Sequence, residues 1–208
     1  MTKVAPRKSD SLRSDLKVVA DMVATEARVL DVGCGDGALL DYLIRHRGVD
    51  GRGIELSQAG VNACVSQGLS VVQGDADTDL GYYPEGAFDY VVLSQTLQAT
   101  HKPRSVLLEL QRISRFAIVS FPNFGHWQCR WQLLRRGRMP VTDSLTEPWY
   151  ETANIHLCTI TDFFALCRDL GISVDRAVAL RRDGSAKIVG NNVRIANFFG
   201  AQAVFLLS

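Results

Sequence analysis

Residues 29–37 read VLDVGCGDG, an apolar run closed by three glycines and carrying two aspartates. Arg28–Val32 predicts a strand. Residues 37–47, with Leu39, Leu40, Leu43 and Ile44 on an inner side, predict the helix that follows it. Glycine permits positive φ and a close approach of a ligand to the backbone. A bare loop at the carboxyl end of a strand is where an open parallel sheet binds its ligand, so Gly33, Gly35 and Gly37 mark a nucleotide-type site.

Outward from this loop, short apolar runs alternate with helical patterns, the order required by a parallel sheet with crossover helices. A helix over 11–24, carrying Leu12, Leu16, Val19 and Val23, precedes the first strand. Strands are expected at 51–56, 70–73, 88–93 and 116–121, and helices at 58–67 and 103–113. Ala117-Ile118-Val119 is apolar on both faces, as a strand covered on both sides should be. A helix over 161–170 and apolar runs at 172–180 and 202–207 complete the pattern, the last two as an antiparallel pair. The expected fold is a doubly wound α/β domain over 1–208, with a mostly parallel, seven-stranded sheet and an antiparallel C-terminal hairpin strand. Residues 123–150 read as an insertion over one sheet end.

Bulk properties bound the function. The chain has 208 residues, 47% of them hydrophobic, which suits one domain with a full core. Its 23 basic and 22 acidic residues nearly cancel, so no chain-wide field favours nucleic acid or an anionic membrane. The start lacks an apolar core for a signal peptide, and no stretch approaches the roughly 18 to 20 apolar residues of a membrane span. The five cysteines are odd in number and irregularly spaced, as buried thiols in a reducing compartment would be. A cytoplasmic location is expected.

The charges near the loop select the ligand. Glu55 ends the second strand about 20 residues after the glycines, where an acidic side chain accepts hydrogen bonds from ribose hydroxyls. A dinucleotide prefers GxGxxG, whereas this loop is GxGxG, and Asp31 and Asp36 stand where a pyrophosphate would sit. An NAD-dependent oxidoreductase is therefore disfavoured. A cofactor with an ammonium and a sulfonium gains from the same carboxylates, and S-adenosylmethionine has both.

VLDVGCGDG, then GIEL, QGDAD and FDYVVLSQTLQ, in this order over residues 29–98, resemble the class I S-adenosylmethionine-dependent methyltransferases. That resemblance implies that Asp31 and the backbone of Gly33, Cys34, Gly35 and Gly37 hold the methionine part. It gives Glu55, with Leu56 beside it, the ribose, and Asp75 and Ala76 the adenine edge. Ser94 and Gln95 would line the floor near the sulfonium, the ligand being S-adenosylmethionine or S-adenosylhomocysteine.

Over residues 16–208 the resemblance narrows to the MetW family of methionine biosynthesis proteins. The blocks FPNFGHWQCRWQLLRRGRMPVTDSLTEPWYETANIHLCTITDFFALC and NNVRIANFFGAQAVFLL carry it. It implies a methyltransferase fold and association with MetX, a homoserine O-acyltransferase, as partner or regulator. A methyltransferase acting on a small molecule or a protein is the alternative.

The segment after residue 122 carries all three tryptophans and an arginine cluster, Arg130, Arg135, Arg136 and Arg138. His126, Tyr150 and His156 are the candidates for a catalytic base over the cleft, although both histidines read more readily as structural. His126, His156 and Cys158 lack the paired spacing of a zinc site, and no metal is expected. Trp127, Trp131 and Leu134 recur at helical spacing, which predicts either a helix packed on the sheet end or a partner surface. Aromatic and arginine enrichment favours docking of the acyltransferase through residues 127–149 over nucleic-acid binding.

Overall fold

The computed structural model describes residues 12–208. The expected start of the first helix at residue 11, and the reading of the preceding residues as no signal peptide, lie outside the described residues.

The chain runs α1 (Ser14–Met22), β1 (Arg28–Val32), α2 (Ala38–Arg47), β2 (Asp50–Glu55), α3 (Gln58–Ser66) and β3 (Val71–Gln73). It continues through β4 (Phe88–Ser94), α4 (Pro103–Ile113), β5 (Ser114–Pro122), α5 (Trp127–Arg136) and α6 (Ile160–Leu170). It closes with β6 (Val174–Leu180), β7 (Ala186–Ile188), α7 (Val193–Phe199) and β8 (Gln202–Leu207). The strands form one sheet in the order β3-β2-β1-β4-β5-β8-β6-β7. The first five are parallel, and β8 lies between β5 and β6, antiparallel to both.

The sheet has eight strands rather than the seven expected. The addition is β7, an exposed three-residue edge strand on β6, too short to show any periodicity. β6 and β8 pair antiparallel as anticipated, with β7 and the seven-residue α7 in their connection. β6 also starts later than the run at 172–180, with a register shift between Val174 and Arg176.

Alternation along the central strands supplies two apolar faces. Val29, Val92, Ile118 and Val204 pack under α1 and α2, against Leu16, Val19, Leu39 and Leu43. Their neighbours Leu30, Val91, Val119 and Phe205 pack under α4 and α6, against Leu107, Leu110 and Phe163. Helix starts follow local chemistry: Pro103 opens α4, and Thr159 and Asp162 form a reciprocal capping box for α6. Because β2 and β3 lie on one side of β1 and β4 on the other, the chain reverses its winding between β1 and β4. A crevice opens there at the carboxyl edge.

Candidate functional site

The glycine loop turns between β1 and α2 at this crevice. Gly33 has φ +72°, and a Cβ there would lie 2.5 Å from Thr96 Oγ1. Gly37 has φ +78°, and a Cβ there would strike Leu69 Cδ1 and lie 2.9 Å from Cys64 Sγ. Any side chain at either position would therefore be both strained and crowded. Glu55 braces the loop: Gly35 N donates to its Oε2 and Ser57 N to its Oε1, each at 2.9 Å. Both oxygens keep a further lone pair with which to accept from a ligand.

The cleft beside the loop has a volume of about 150 Å³. Asp31, Gly33, Cys34, Gly35, Ser94 and Gln95 line it, together with Asp36 and Leu39. Gly37 stands just outside as the residue preceding α2. Glu55 reaches the cleft through its bond to Gly35, and the exposed Leu56 follows it. Asp75 closes a local turn, with its Oδ1 accepting from Asp77 N at 2.8 Å, while Ala76 packs against the core. These two follow the end of β3 and are not among the residues that line the cleft.

Asp31 is 2% exposed, and among the described residues no N–H or O–H donates to its carboxylate. Burial, and secondarily the charge of Glu55, push its carboxyl up to about 7, against an opposing pull from Arg13. Cys34 is buried with its Sγ 3.9 Å from that of Cys64, and burial raises its thiol. The Cys34 side chain thus belongs to the packing beneath the loop.

The floor is set by Gln95, a non-glycine residue at φ +56°. Such a conformation costs on the order of 1–3 kcal/mol and persists where surrounding bonds impose it. Gln95 N donates to Ser120 O at 2.8 Å, and its Nε2 donates to Asp15 Oδ2 at 2.9 Å. Beside it, Ser94 Oγ lies 3.0 Å from Ser120 Oγ. Arg13 and Leu16 complete the cleft wall.

Sequence reasoning missed Arg13, Asp15 and Leu16, because only folding brings the start of α1 across to residues 94–95. It also gave no role to Gln98, although the quoted block ends on it. Gln98 O accepts from Ile155 N and His156 N, both at 2.9 Å, and Gln98 Nε2 donates to Pro122 O at 3.2 Å. The loop that floors the cleft is thereby tied to the end of the segment between β5 and α6.

The three candidate bases do not line the cleft. His126 is buried, its Nδ1 accepts from Gln128 N at 3.4 Å at the start of α5, and burial holds it below the usual imidazole range. Tyr150 is exposed beside Trp149, and His156 lines a separate cavity of about 200 Å³ with Gln98 and Cys158. Among the described residues no three His, Cys, Asp or Glu side chains group as metal ligands, and no helix is long and apolar enough to cross a membrane.

Helix α5 departs from the packed alternative. Only Cys129 is buried on it, whereas Trp131 is 52% and Leu134 81% exposed. Arg135 lies over the Trp131 ring, and no carboxylate among the described residues pairs with Arg135, Arg136 or Arg138. The apolar stripe thus faces outward within a basic surface.

The family description "Methionine biosynthesis protein MetW" matches residues 13–207. A bifunctional methionine biosynthesis protein MetXA/MetW from Rhodopirellula baltica is 30% identical over 191 residues, 88% of this chain and 31% of that protein. The chain spans 31% and 33% of the lengths of two curated relatives it matches. A methyltransferase dependent on S-adenosylmethionine from Thermotoga maritima superposes with a TM-score of 0.68 at 17% identity, over 94% of this chain and 87% of that one. The cyclase SpnF does so at 0.64 and 17% identity, over 92% and 79%. Such likeness shows the fold, and a cyclase on that fold means that the fold does not assign methyl transfer.

Proposed function

The chain belongs to the MetW family of methionine biosynthesis proteins, and from that premise we propose a cofactor-binding accessory role. The cleft between β1 and β4 takes S-adenosylmethionine or S-adenosylhomocysteine, and the protein acts as partner or regulator of a homoserine O-acyltransferase of the MetX kind. The observation that carries the partnership is the Rhodopirellula baltica relative, whose name joins MetXA and MetW in one bifunctional protein. The cofactor reading is supported by Asp31, a buried carboxylate that no donor among the described residues meets and that a cationic ligand would satisfy. Assay of the acyltransferase with and without this protein, at varied S-adenosylmethionine, tests both. A dependence on both is expected; no effect of the protein at any cofactor level would refute the role. Stoichiometric release of S-adenosylhomocysteine would point to methyl transfer instead.

Binding should depend on pH. The Asp31 carboxyl titrates near 7 when folded, against about 4 in an unfolded chain, so the folded state holds an extra proton between those values. Stability of the unliganded protein therefore falls as pH rises from about 4 to about 7. A cationic cofactor binds the ionised form, so its affinity rises through pH 7 with release of a proton. Asp31→Asn is expected to raise Tm at about pH 8, weaken S-adenosylmethionine binding and flatten its pH profile. Calorimetry across this range checks the sign, and a flat wild-type profile would contradict it.

The basic, apolar face of α5 is the docking surface in this reading. Reversing Arg135 and Arg136 together to glutamate should lower co-purification with the acyltransferase by roughly tenfold or more, while leaving cofactor binding intact. Unchanged association would remove this surface from the interface.

A further inference from the structure

We propose that the cavity between the β6–β7 hairpin and α7 is a second ligand site, which takes a small aliphatic carboxylate, an apolar chain carrying one negative charge. The cavity has a volume of about 320 Å³, within the range of small-molecule sites. It lies at the β7 end of the sheet, with β5 and β8 between it and the cleft at β1 and β4, and does not depend on what that cleft binds. Strand register sets its floor. Ala179 pairs with Lys187, and Arg181 follows Ala179 by two residues, so these three side chains share one face of the hairpin. All three line the cavity. The end of α7 closes on that face at Gly200, where a Cβ would lie 3.0 Å from Ala179 Cβ. From this close contact the helix runs back along the cavity, which Ile195 and Phe199 also line while remaining 53% and 47% exposed.

The charges are one-sided. Arg181 and Lys187 are both exposed, and no carboxylate among the described residues pairs with either. Asp183, at the turn between β6 and β7, accepts from Ser185 N at 2.9 Å, and no acidic residue lines the cavity. An uncovered apolar wall beside two unpaired cations is complementary to an amphipathic anion. Covering Ile195 and Phe199 with an aliphatic chain supplies affinity, and charge-assisted hydrogen bonds from the guanidinium and the ammonium fix the carboxylate. A second copy of this chain is the poorer occupant. Antiparallel pairing of the three-residue β7 with itself about its middle residue would set Lys187 opposite Lys187.

The test uses three probes: octanoate, octanamide, which keeps the chain and lacks the charge, and acetate, which keeps the charge and lacks the chain. By calorimetry on the full chain, octanoate is expected to bind about fivefold or more tightly than octanamide, and acetate to give no measurable binding at the same concentrations. Arg181→Met and Lys187→Met together should bring octanoate down to the level of octanamide, whose own affinity stays within about twofold. Ile195→Glu, at a half-exposed position where folding should survive, places a like charge in the wall and should weaken octanoate by about tenfold or more. Melting temperature is followed for each variant. Equal binding of octanoate and octanamide, a preference that survives the double methionine variant, or wild-type affinity in a folded Ile195→Glu overturns the assignment. Acetate binding as well as octanoate would mean an adventitious ion only, and absence of octanoate binding would remove the site.

Discussion

Glu55→Gln is expected to weaken S-adenosylhomocysteine binding by roughly 30- to 100-fold, corresponding to about 2–3 kcal/mol. The carboxylate accepts one backbone N–H on each oxygen, from Gly35 and from Ser57. A glutamine has one acceptor oxygen, so its amide nitrogen would face one of these donors and the loop would have to move. It has little room in which to adapt, since Gly60 lies so close that a Cβ there would sit 2.7 Å from Glu55 Cγ. The acceptor proposed for the ribose is lost in the same change. Glu55 also raises the Asp31 carboxyl, so the variant's remaining affinity should rise at a lower pH than that of the wild type. Calorimetry at several pH values checks both effects. Affinity within about threefold of wild type would mean that Glu55 serves only the loop.

Phe205→Ala should produce the largest loss of stability, about 3–5 kcal/mol, with a fall in Tm of roughly 10 °C. Phe205 is 0% exposed on β8, with ring centroids 4.6 Å from Phe163, 5.1 Å from Phe164 and 5.6 Å from Phe121. Its removal opens a void where β5, β8 and α6 meet, and close packing leaves no mobile side chain to fill it. Denaturant unfolding checks the value. A loss under about 1 kcal/mol would show that the site collapses around the smaller residue.

The two variants probe different kinds of legibility. Glu55 was visible from spacing alone, because strand length fixes how far a residue at the end of β2 lies from the loop after β1. Its paired bonds to Gly35 and Ser57 were not visible, since they depend on how α3 closes over the loop. The core was legible as apolar runs. The position of β8 between β5 and β6 was not, because the order of antiparallel strands depends on connections that carry no periodicity. Similarly, Trp127, Trp131 and Leu134 declared a helical stripe, yet whether that stripe met the sheet or solvent depended on where residues 137–159 led the chain.

By itself, therefore, the sequence determined the alternation of strands and helices, the glycine loop, and the acidic residues Asp31 and Glu55. These are local properties, carried by the periods of burial and by the backbone freedom of glycine. Long-range packing brought Asp15 to Gln95, 80 residues away, and set Gln98 to hold the end of the segment after β5. Only it placed His126, Tyr150 and His156 outside the cleft and turned the α5 stripe outward. Those outcomes follow from long-range packing, in which the register of whole elements selects the partner of each polar side chain, and no short stretch encodes that choice alone.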